Sequence, residues 1–118
     1  MKDSELRTRA KNLAIRIFSI CDDIDTKKGR GVLVNQIVRS STSIGANIHE
    51  SKYAQSTADF VSKMKIALKE CFETEYWLKL IFLKNKIDES TYKEKLNKCG
   101  TIRRKLIASI TTAKNNSK

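Results

Sequence analysis

Apolar residues recur along this chain at helical rather than strand spacing. Leu6, Ala10, Leu13, Ala14, Ile17, Cys21 and Ile24 form one stripe, and Leu33, Ile37, Ile44 and Ile48 form a second, at the 3–4-residue intervals of an amphipathic helix. Ser40, Ser41 and Ser51 fall between the aliphatic residues of the second stripe. Such small side chains let a neighbouring backbone approach closely. A Ser/Thr/Gly cluster can also mark a loop, but the aliphatic period runs straight through it. A third stripe, Phe60, Met64, Ala67, Leu68, Cys71, Leu78 and Phe82, runs along one side of a long segment that is apolar almost all round at YWLKLIFL, residues 76–83. A fourth includes Leu96, Cys99 and Ile107.

The connections are short. DTKKGRG (25–31) carries two Gly, and NKIDES (85–90) is a turn-forming polar run. The spacing predicts four helices over about 4–24, 32–53, 56–84 and 90–113. Ser56 or Thr57 opens the third with Asp59 in its first turn, and Ser90 or Asp88 opens the fourth. Four amphipathic segments on short connections imply an all-α fold: an antiparallel up-down-up-down four-helix bundle forming a single domain over residues 1–118. The absence of Pro in 118 residues agrees with that expectation.

Composition then narrows the function. No run of about 18 apolar residues is available to span a membrane, and the charged start MKDSELRTRAKNLA is no secretory signal. The expected setting is cytoplasmic. Cys21, Cys71 and Cys99 lie on apolar faces of three different segments, without a CxxC pair, and read as buried thiols. The lone His49, beside Glu50, lacks the second His four residues on that a zinc helix needs, because position 53 is Tyr. Neither a phosphate loop, a GxSxG elbow nor a carboxylate pair with a supporting His occurs. No enzyme activity, catalytic residue, cofactor or metal is expected.

The charge balance points to a partner. Lys and Arg total 24 against 13 Asp and Glu, a net +11. Residues 26–54 contribute 5 − 1 = +4 and residues 87–118 contribute 8 − 3 = +5, so the excess is concentrated there. A clustered basic excess is the electrostatic footprint of a polyanion. Lys27, Lys28 and Arg30 in the first connection, with Arg104 and Lys105 on the fourth helix, are the candidate phosphate contacts. Sequence-specific base reading has no motif behind it.

Two further groups stand out. Ile66, Trp77 and Leu80 lie opposite the core stripe of the third helix, with Tyr76 beside them, and predict a subunit contact and therefore a homo-oligomer. Glu75 and Arg103 project onto core stripes, and a buried charge needs a partner, so Arg103 is expected to pair with Glu75, Glu73 or Glu70, with Glu70 closest in level. Breaking a fully buried pair would cost about 3–5 kcal/mol. On the second helix Gln36, Arg39, Ser43, Asn47 and Glu50 form a polar stripe suited to hydrogen bonds across a helix or subunit interface, or to a ligand.

QIVRSSTSIGANIHES (36–51) resembles the second-helix signature of the four-helix bundle proteins first known from intervening sequences in 23S rRNA genes. STADFVSKMKIALKECFETEYWL is similar to the third helix of the same family. Three positions depart from its usual pattern: Gly45 stands where Pro is common, His49 where Ala is common and Ser51 where Gly is common. The accessory protein of diversity-generating retroelements shares this fold. The resemblance implies a basic ring of five subunits that binds RNA or an RNA–DNA hybrid, with a reverse transcriptase as an added partner in the retroelement branch.

Overall fold

The computed structural model describes residues 2–24, 30–84 and 86–116. They form four α-helices: α1 (Lys2–Asp22), α2 (Arg30–Ser51), α3 (Thr57–Leu83) and α4 (Glu89–Asn116). Each helix packs on its neighbours in the cycle α1–α2–α3–α4–α1, and the diagonal pairs do not meet. This is the up-down-up-down bundle, with α1 and α3 running one way and α2 and α4 the other. No strand occurs among the described residues.

Local chemistry explains where the helices start. Ser56 has extended backbone and its hydroxyl accepts from the Asp59 N–H at 3.0 Å, satisfying an orphan donor of α3, while the Asp59 carboxylate reaches back to accept from the N–H of Gln55, the residue before the cap, at 3.2 Å. Asp88 rather than Ser90 caps α4: its Oδ1 accepts from the Thr91 N–H at 2.7 Å. That bond holds the Asp88 carboxyl below its usual range. Phe82 and Tyr92 stack at 4.5 Å between centroids and close the α3–α4 corner.

The core is built from Leu6, Ala10, Leu13 and Ile17 of α1, Ile37, Ile44 and Ile48 of α2, Met64, Ala67, Cys71, Leu78 and Ile81 of α3, and Cys99, Ile102, Leu106 and Ile110 of α4. On α2 the serines do what small residues permit. Ser40, Ser41 and Ser51 are all buried, and Ser40 and Ser41 turn their hydroxyls back on the carbonyls of Ile37 and Val38. Thr74 of α3 donates to the Ser40 hydroxyl at 2.8 Å, so α2 and α3 share a hydrogen bond at full burial. On the other flank of α2, Gly45 faces α1, and a Cβ placed there would lie 3.6 Å from that of Ala10.

Two helices are rotated from the phase expected of them. On α4 the buried line is Lys95, Cys99, Ile102, Leu106 and Ile110, whereas Ile107 is exposed and Leu96 is only half-buried. Arg103 therefore sits at the edge of the core rather than in it. Lys95 takes the inward place by burying its stem and turning its ammonium to the adjacent Glu94. On α3, Val61, Thr74 and Ile81 are core positions, while Phe60, Leu68 and Phe82 are half-buried beside it. Trp77 is not on the outward face: it is half-buried and packs against the core. An almost continuously apolar helix offers no polar side to mark its direction, which is why the wheel of α3 misassigns the indole.

Candidate nucleic-acid and subunit surfaces

Ion pairs order the surface of the bundle. Arg39 of α2 stands over the α2–α3 seam. Its Nε donates to Gln36 at 3.1 Å, its Nη1 to Glu70 at 3.1 Å and its Nη2 to Glu73 at 2.5 Å. Two to three turns on, Asn47 Nδ2 donates to the Ser43 carbonyl at 2.9 Å, and Glu50 accepts from Lys63 at 3.0 Å. Arg39 and Glu50, the charged members of the polar stripe, thus bridge α2 to α3 within one chain.

Arg103 uses the third carboxylate. Its Nε lies 3.0 Å from Glu75 Oε2, with the side chains 30% and 19% exposed, and its guanidinium sits 5.8 Å from the centroid of the Phe72 ring. Glu75 holds the Arg103 pKa above its ordinary value. Glu70, the closest in level by loop counting, and Glu73 are held from the α2 side by Arg39. Five residues separate Glu70 from Glu75, about 140° around the helix, so the two carboxylates address different neighbours. Gly100 makes room here: a Cβ there would approach the guanidinium tips of Arg103 and Arg104 to 3.3 and 3.2 Å.

Of the candidate phosphate contacts, Lys27 and Lys28 lie outside the described residues, and Arg30 opens α2. Arg104 is exposed and donates to the Thr101 hydroxyl at 3.3 Å. Lys105 faces the other way, across the α1–α4 seam, where its ammonium is 2.9 Å from Glu5. Lys105 first and then Arg9 hold the Glu5 carboxyl below its usual range. Arg104 and Lys105 therefore sit on different sides of α4. Beside the Glu5–Lys105 bridge is a cleft of about 410 Å³, lined by Leu6, Phe60, Ser109 and Thr112 among others.

Among the three candidate contact residues, Ile66 is exposed, whereas Trp77 and Leu80 are half-buried. The indole Nε1 of Trp77 is buried without a hydrogen-bond partner. Besides Ile66, the large exposed apolar side chains of α3 are Phe72, Tyr76 and Leu83, and Ile107 on α4 and Ile15 and Phe18 on α1 are exposed too.

The profile of the 23S rRNA-intervening sequence protein family matches residues 2–108, nearly the whole bundle. The chain belongs to that family. A crystal structure of a protein of unknown function from the S23 ribosomal protein family of Bacteroides thetaiotaomicron VPI-5482 is similar to this chain, with a TM-score of 0.86 and 40% identity, over 94% of this chain and 99% of the other. No curated protein matches.

In this member of the 23S rRNA-intervening sequence family, the thiols are core groups. Cys71 and Cys99 are fully buried, and the Cys71 thiol donates to the Cys99 carbonyl at 3.3 Å. Cys21 is half-buried, and burial followed by the neighbouring Asp22 pushes its thiol up to about 11. Among the described residues, His, Cys, Asp and Glu nowhere gather in a group that could hold a metal ion. No helix of the described residues is long and apolar enough to cross a membrane.

Proposed function

We propose that this protein is a non-enzymatic, cytoplasmic, homo-oligomeric bundle that holds RNA, or an RNA–DNA hybrid, through its phosphates. The observation that carries this reading is how the charges are used. Glu5, Glu50, Glu70, Glu73, Glu75, Glu89 and Glu94 are each committed to a cation within the bundle. The chain still keeps a net +11, so the surplus is cationic, and Lys11, Arg16, Lys65, Lys69, Lys79 and Arg104 carry part of it at exposed positions. A surplus of that size attracts polyanions and binds them with little regard for sequence. The family name makes 23S rRNA fragments the first RNA to try.

A salt titration tests the reading. Each phosphate neutralised by Lys or Arg releases condensed counterion, so with 6–10 phosphates engaged affinity should fall roughly 10³–10⁵-fold between about 50 and 200 mM salt. Replacing Lys27, Lys28 and Arg30 together by Gln should flatten the slope while the helical circular dichroism stays unchanged. Arg104→Gln should do so more weakly. Lys105→Gln should have the smallest effect, because Glu5 already neutralises that ammonium.

A second reading draws on a different observation, the exposed apolar side chains of α3. They suit a protein partner, such as the reverse transcriptase of a retroelement. Absence of RNA and DNA binding even at about 20 mM salt, where counterion release is most favourable, would give that reading precedence.

A further inference from the structure

The exposed side of α3 has a repeat of its own. Lys65, Lys69, Phe72, Tyr76, Lys79 and Leu83 are spaced 4, 3, 4, 3 and 4 residues apart, and every one of them is exposed. That is the a/d spacing of a coiled-coil seam, set on the face turned away from the bundle's own core. Phe72, Tyr76 and Leu83 on it are 52%, 55% and 60% exposed. A second exposed line runs along α1, with Lys11, Ile15, Phe18 and Asp22 spaced 4, 3 and 4 residues apart. Ile15 and Phe18 on it are 55% and 47% exposed. The two helices are diagonal in the bundle and run in the same direction.

Their heights agree. Ala10 of α1 meets Gly45 of α2, and Ser40, five residues back along α2, meets Thr74 of α3. Because α2 runs opposite to both, five residues on from Ala10 brings Ile15 level with Thr74, within about one helical turn. Ile15 and Phe18 therefore stand at the height of Phe72 and Tyr76, and Asp22 stands near that of Lys79.

We infer that the α1 line of one subunit packs in parallel against the α3 line of the next, so that the protein assembles head to tail through two different faces. This rests on the oligomer of the proposed function and names its contact. A head-to-tail contact closes into a ring only when it carries no net rise. Two apolar patches at equal height on helices of equal direction meet that condition. Charge supports the same register: Asp22 of one copy falls beside Lys79 of the other, an opposite-charge flank to an apolar centre. Lys11 and Lys69 fall together at the other end, a like-charged pair at the rim. The second copy thus covers Ile15, Phe18, Phe72 and Tyr76, four of the large apolar residues that the bundle leaves exposed.

Mixing two variants tests this. Phe18→Glu spoils only the α1 line and Tyr76→Glu only the α3 line, and neither residue is in the core. Each variant alone should be monomeric by light scattering at micromolar concentration, with unchanged helical circular dichroism. Mixed, they should form a one-to-one dimer and nothing larger, because one intact α3 line meets one intact α1 line and both remaining lines are broken. Lys69→Glu should tighten the wild-type assembly by replacing the repulsion with Lys11. A Phe18→Glu protein that stays assembled like the wild type would overturn the α1–α3 contact while leaving the oligomer standing. A wild-type protein that is monomeric, with Phe72 and Tyr76 stacking on single-stranded RNA instead, would overturn the oligomer as well.

Discussion

The Arg103–Glu75 pair separates two accounts of α4, and its cost can be worked from the geometry. Arg103→Met keeps an aliphatic stem of similar length and removes a charge-assisted hydrogen bond of 3.0 Å to a carboxylate that is 19% exposed. Hydrogen bonds to charged groups contribute about 1.5–3 kcal/mol, and one-sided removal from a fully buried pair costs about 3–5. Exposed pairs give about 0.2–1 kcal/mol. With Arg103 30% exposed, water reaches the guanidinium and part of the loss is recovered. Losing the cation over the Phe72 ring adds about 0.5 kcal/mol. The expected destabilisation is about 2 kcal/mol, below what a core position would impose. Urea unfolding at fixed protein concentration measures it, because any assembly makes stability concentration-dependent. The cycle with Glu75→Gln should show a coupling of about 1 kcal/mol, since each single change strands the other member of the pair. A loss below about 0.5 kcal/mol with no coupling would mean that solvent screens the pair fully. A loss above about 4 kcal/mol would mean that Glu75 is shut off from water and that α4 is phased as its Leu96–Ile107 pattern suggested.

Substitutions at two other positions probe packing. Trp77→Phe removes a buried N–H that has no partner while keeping most of the ring, so stability should hold or rise by up to about 1 kcal/mol, and thermal melting reads it. Trp77→Glu should lower the melting temperature of the monomeric Tyr76→Glu background too, because the indole packs on the core; an unchanged melting temperature there would contradict that packing. Gly45→Ala should stabilise by about 0.5–1 kcal/mol, because helix propensity favours Ala and the new methyl would meet Ala10 at an ordinary 3.6 Å. Gly45→Leu should instead force α1 away and destabilise by about 1–3 kcal/mol, and chemical denaturation distinguishes the signs.

How far the chain could be read depended on whether a helix has one unambiguous apolar side. α2 does: Ile37, Ile44 and Ile48, with serines between, leave a single inward direction, and the fold class followed from four such segments. α4 carries two competing lines. Leu96 and Ile107 suggested one, while Ile102, Leu106 and Ile110 make the other, and a lysine stem at position 95 hides its start. Arg103 was recognisable as a residue in need of a partner, but three glutamates lie within two turns of α3. What decides between them is Arg39 on the opposite neighbour, which occupies Glu70 and Glu73. The wheel position of Glu75 carried that information. The repeat Lys65, Lys69, Phe72, Tyr76, Lys79 and Leu83 is visible in the letters too. A line of half lysines does not look like a contact until the structure shows that all of it is exposed.

The cleft between α1 and α4 bears on how the molecule moves. α1 leans fully on α2 but meets α4 along a thinner seam, spanned by Glu5 and Lys105 beside an unfilled space of about 410 Å³. A helix held firmly along one edge and loosely along the other is the unit that opens at least cost, so the native ensemble should include a three-helix form with α1 swung out on α2. The outward line of α1 is also the one assigned to the neighbouring subunit. Assembly would then clamp the weakest helix from outside, and the same contact that builds the ring would suppress the bundle's easiest local unfolding.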